Sequence, residues 1–79
     1  MKTSKMYLAA ALLSLAAGLK TVHRDDPHRM EFELTFAGIH TAEDDWFKSR
    51  TDLWEKRELL VNAQDFVDQI QRLKAEVHK

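Results

Sequence analysis

The sequence predicts a small α+β domain, rich in helix, and three observations predict it. Residues 29–37 alternate between apolar and polar side chains with period two. Residues 41–79 carry helical spacing behind two helix-start signals, at Thr41 and Asn62. Residues 6–19 form an uncharged run rich in alanine and leucine. Together these give an N-terminal apolar helix, a β-hairpin or short antiparallel sheet, and two C-terminal helices, expected as a single domain over residues 1–79. The C-terminal stretch holds both tryptophans and the best periodicity, so it is expected to be the frame on which the rest packs.

The apolar run comes first. Alanine and leucine are strong helix formers. Thr3 or Ser4 is placed to cap the start, and Gly18 to take the left-handed position beyond the end, with Leu19 folding back on Leu13. A helix apolar on nearly every side must be buried on more than one side, which also suggests a second copy of the chain or a partner groove. Lys2 and Lys5 before the run, and Ala16, Ala17 and Gly18 after it, have the layout of a secretory signal. Residues 1–18 as an export segment of a small envelope protein is therefore the alternative to a core helix. The run would rise about 21 Å as a helix, short of the roughly 30 Å of a hydrocarbon core, so no membrane span is expected.

In the middle, residues 19–23 are β-compatible, and Arg24-Asp25-Asp26-Pro27-His28 reads as a turn. Met30, Phe32, Leu34 and Phe36 then share one face of a strand that Gly38 ends, with Glu31, Glu33 and Thr35 on the other. This strand needs a partner. Residues 19–23 are the nearest candidate, residues 58–61 a second, and the same strand of another molecule a third.

The first C-terminal helix starts at Thr41-Ala42-Glu43-Asp44, close to a capping box, with Glu43, Asp44 and Asp45 in the turn where the helix dipole favours acids. Asp44 with Lys48, and Asp52 with Lys56, are spaced as ion pairs. Trp46, Phe47, Leu53 and Trp54 form the apolar stripe, which the Arg50 stem can cover. The second helix starts at Asn62, and its stripe is Phe66, Ile70, Leu73 and Val77. Between them, residues 57–61 are expected as a short strand or a tight connection, with one unbroken helix as the rival.

Composition excludes more than it assigns. Twelve basic and thirteen acidic side chains leave a net charge of -1. Phosphate-driven nucleic-acid binding wants a basic excess, so no direct nucleic-acid contact is expected. Without cysteine there is no disulfide and no thiolate metal site, and the chain suits a reducing cytoplasm. A chain of this size has a marginal core, which favours self-association or a larger partner.

Candidate chemistry is sparse. His23, Asp25, Asp26 and His28, with His40 further on, have the donor types of a zinc or manganese site, yet an aspartate-proline turn has the same composition for geometric reasons. Glu31 and Glu33 are paired carboxylates, but glycoside chemistry needs a cleft that a domain this small has little room for. No nucleophile elbow or phosphate loop surrounds Ser4, Ser14 or Ser49. No enzyme activity, cofactor or metal is expected. The expectation is a protein-binding protein that docks on a larger complex. A phage-encoded inhibitor of host defence, of the anti-CRISPR kind, is one such population, and a homodimer one form of association. The candidate contact residues are Trp54, an aromatic anchor, with Glu31, Glu33, Glu43, Asp44 and Asp45 as an acidic rim.

Overall fold

A computed structural model describes residues 1–26, 29–38 and 41–78. Among the described residues the chain runs β1 (Lys2–Thr3), α1 (Met6–Leu15), β2 (Gly18–Asp26), β3 (Arg29–Thr35), α2 (Glu43–Glu55) and α3 (Ala63–Val77). The result is the expected α+β architecture: three helices and an antiparallel sheet of order β1-β3-β2.

The centre of the molecule is α1. Six consecutive side chains, from Leu8 to Leu13, are buried. A surface helix buries one stripe; a helix hidden all round has neighbours on every side. Here α3 is the main neighbour, with α2 and β3 completing the enclosure. The C-terminal helices therefore wrap a core that the N-terminal run supplies, the reverse of the sequence expectation. The burial that hinted at a second copy is met within one chain.

The start and end of α1 also differ from expectation. Lys5 is the N-cap and no side chain caps it. Thr3 Oγ1 instead accepts the Lys5 N–H at 3.1 Å, a local turn that competes with capping. At the other end the Ala16 and Ala17 N–H groups both reach Leu12 O. Gly18 is not a left-handed cap, because it already opens β2 opposite Thr35, and Leu19 pairs with Leu34.

Period two in β3 has its physical cause in one-sided burial. Phe32 and Leu34 are buried, and Phe36 packs against the same core, while Glu31 and Glu33 face away from the helices. Residues 58–61 are not a strand. Both edges of β3 are already taken, by β2 and by Lys2↔Glu33 and Thr3↔Phe32 of β1, and Met1 extends that edge by exchanging two hydrogen bonds with Leu34. Pro27 and His28 of the expected turn, and His40, lie outside the described residues.

The two C-terminal helices are separate. Asn62 caps α3, its side chain accepting the Asp65 N–H at 3.0 Å. Thr41 does not cap α2: the N-cap is Ala42, with no side-chain bond, and Glu43, Asp44 and Asp45 complement the dipole directly. The pairs Asp44–Lys48 and Asp52–Lys56 do not close to ion-pair distance among the described residues. Exposed pairs of long side chains gain little over water. Trp46 is buried, stacked on Phe36 at 4.2 Å and edge-on to Phe47. The Arg50 guanidinium lies over the Trp46 ring at 5.3 Å, so the charged head, and not only the stem as expected, covers the aromatic face. A side chain at Gly38 would collide with the Phe36 ring, so the strand exit needs a residue without Cβ.

Candidate functional site

Helix α2 ends in a left-handed residue that is not glycine. Arg57 has φ 60°. Its N–H donates to Trp54 O at 3.0 Å, and the Glu58 N–H donates to Leu53 O at 2.8 Å. This is the Schellman pattern, in which glycine is the usual occupant of the position Arg57 holds. A non-glycine side chain there costs about 1 kcal/mol or more. The connection from α2 to α3 is thus bonded at both ends, by this motif and by the Asn62 cap.

Two leucines in that connection part ways. Leu59 is half-buried and lines a cavity of about 440 Å³ with Lys5, Trp54, Glu55 and Arg57. Leu60 turns outward and is 87 % exposed. Near the adjoining starts of α1 and α3, Tyr7 is exposed, its ring 6.4 Å from that of Phe66, and Val67 of α3 is also exposed. Exposed apolar side chains taken singly are ordinary. Leucine at the apex of a connection pinned at both ends is not a product of a loose loop.

The expected contact residues fall into three separate places. Glu43, Asp44 and Asp45 are exposed at the start of α2. Trp54 is half-buried near its end, about 14 Å further along the axis. The rim around Trp54 consists of Lys5, Glu55 and Arg57, not of the three acids. Asp44 instead borders a second hollow of about 360 Å³ with Met1, Phe47, Lys48, Thr51 and Asp52, where Thr51 Oγ1 has no hydrogen-bond partner.

Glu31 and Glu33 lie on the sheet face away from the helices, and Glu33 is engaged within the sheet. Its carboxylate takes His23 Nε2 at 2.8 Å and Lys20 Nζ at 3.1 Å. A carboxylate can only accept, so Nε2 carries the proton. The hydrogen bonds from His23 and then Lys20 hold the Glu33 carboxyl down to about 2. A bulge makes this cluster: Leu19 opposes Leu34 and Thr21 opposes Glu33, so Lys20 is an extra residue in β2. Without it, Lys20 and His23 would point to opposite faces. Glu33 is therefore an internal partner rather than a free acid for docking.

Among the described residues, no group of three or more His, Asp or Glu side chains is placed to hold a metal, and His23 is committed to Glu33. Among them also, no helix is long and apolar enough to cross a membrane. Comparison with known proteins finds no match: no family model, no curated protein and no solved structure. Sequence reasoning missed Lys5, Tyr7, Arg57 and Leu60. The one available signal was the apolar triplet Leu59-Leu60-Val61, too short for periodicity to say which leucine faces out.

Proposed function

We propose that the protein is a non-catalytic binding protein that docks on a larger protein or complex through the α2–α3 connection. The observation that carries this reading is Leu60, a large apolar side chain 87 % exposed on a connection bonded at both ends. Binding residues commonly sit on loops that a rigid scaffold positions. An apolar anchor needs no ordering on binding when its backbone is already held, and that lowers the entropy cost of association.

Tyr7, Leu60 and Val67 offer a few hundred Å² between them, whereas a stable dimer buries roughly 800 Å² on each side. A larger partner that supplies a pocket for Leu60 and polar contacts around it fits this small apolar payload better than a second copy. The reading places the protein in the cytoplasm, in keeping with its lack of cysteine. The narrower expectation of a host-defence inhibitor rests on size and absent motifs, and no side chain argues for it.

The test is affinity capture from the native cell with the wild-type chain and with Leu60→Asp, alongside thermal unfolding of both. The reading predicts a partner retained in stoichiometric amount by the wild type and lost by a variant that melts unchanged. Equal retention by both chains contradicts it.

A further inference from the structure

We infer that the cavity beside Leu60 binds an acidic, apolar peptide segment of the partner, with a glutamate or aspartate held by Lys5 and Arg57 and the neighbouring apolar side chain laid on Trp54 and Leu59. The inference rests on the docking reading above and names the chemistry of the segment that reading leaves open.

Charge points to an anion. Two cations and one carboxylate line the cavity, and neither Lys5 nor Arg57 makes an ion pair among the described residues. Lys5 is also the N-cap of α1, a helix with no acid in its first turn and no capping side chain. The start of α1 therefore carries no acid that would compete with an anion for the Lys5 side chain. Arginine supports the same choice, since its fork matches a carboxylate bidentately. The backbone at position 57 would be easier with glycine, and glycine would leave the cavity without this cation.

Shape points to a peptide. Trp54 and Leu59 supply an apolar floor, and a volume of about 440 Å³ holds one or two side chains rather than a folded element. Tryptophan and arginine are also the residue types enriched at binding hot spots.

The test titrates the full chain, by tryptophan fluorescence, with a blocked tetrapeptide of alternating leucine and glutamate and with its leucine–glutamine counterpart. Trp54 is half-buried and reports the cavity, while buried Trp46 gives a steady background. Saturable binding of the glutamate peptide is expected below about 1 mM. Binding weakens at least tenfold for the glutamine peptide, for Arg57→Gly and for Lys5→Gln, with neither variant melting below the wild type. Equal binding of the two peptides, no saturation by either, or no response to both variants overturns the inference. A dimer of the free chain that Arg57→Gly dissolves also overturns it, because a second copy then fills the cavity. Capture that depends on Leu60 together with failure of the peptides removes this inference and leaves the docking reading standing.

Discussion

His23 Nε2 lies 2.8 Å from Glu33 Oε1 across the β2–β3 ladder, with Lys20 on the other oxygen of the same carboxylate at 3.1 Å. This relationship fixes the sign of one pH dependence. Hydrogen bonds from His23 and Lys20 lower the Glu33 carboxyl from an ordinary 4.5 to about 2. A group whose folded value is depressed stabilises the fold above its unfolded value and ceases to as pH falls through the folded one. The melting temperature of the wild type should therefore exceed that of Glu33→Gln above about pH 4.5, and the gap should close toward about pH 2. A gap that stays constant across that range contradicts the assignment.

Arg57→Gly should leave stability unchanged or raise it by up to about 1 kcal/mol. Relief of the left-handed conformation is partly offset by the greater freedom of glycine in the unfolded chain. Denaturant unfolding measures it. A loss of more than about 1 kcal/mol would show that the arginine side chain holds the fold rather than serving the cavity.

Asn62→Ala should cost about 1 kcal/mol, because the Asp65 N–H loses its acceptor at the start of α3. The same substitution loosens one end of the connection that carries Leu60, so partner binding should weaken as well. Urea denaturation and capture on the same samples check both.

Leu12→Ala should cost about 2–5 kcal/mol, enough to unfold a domain of this size at moderate temperature. Leu12 is fully buried in the helix that every layer packs around. Leu60→Asp, by contrast, should stay within about 0.5 kcal/mol of the wild type. Circular dichroism melts of the two variants separate core from surface. Removal of residues 1–18 should abolish cooperative unfolding, since it deletes β1 and α1 together. A folded truncated chain would favour the export reading of that segment.

How far the sequence discloses this molecule depends on how one-sided each element's burial is. Strand β3 was legible because Phe32 and Leu34 face the core while Glu31 and Glu33 face away, and Asn62 was legible because a cap is a local bond. The burial of α1 was legible because it is apolar on nearly every side, but which elements surround it was not, because residues hidden on every side carry no direction to read. Lys2 and Thr3 are too few for a period. The bulge at Lys20 breaks the alternation of β2, so its meeting with His23 on Glu33 had no trace in spacing. At the candidate site, Trp54 was legible as an aromatic in a helical stripe. Arg57 was not, since the expected mark of a left-handed helix end is glycine. Leu60 was hidden by having a leucine on one side and a valine on the other.

Amide hydrogen exchange of the chain with and without its captured partner tests the central claim most directly, because it reports where the partner sits. Protection on binding should concentrate on residues 56–62 and on the first turn of α1. Protection confined to the β2–β3 face or to the acidic start of α2, with residues 56–62 unchanged, would contradict docking through the α2–α3 connection.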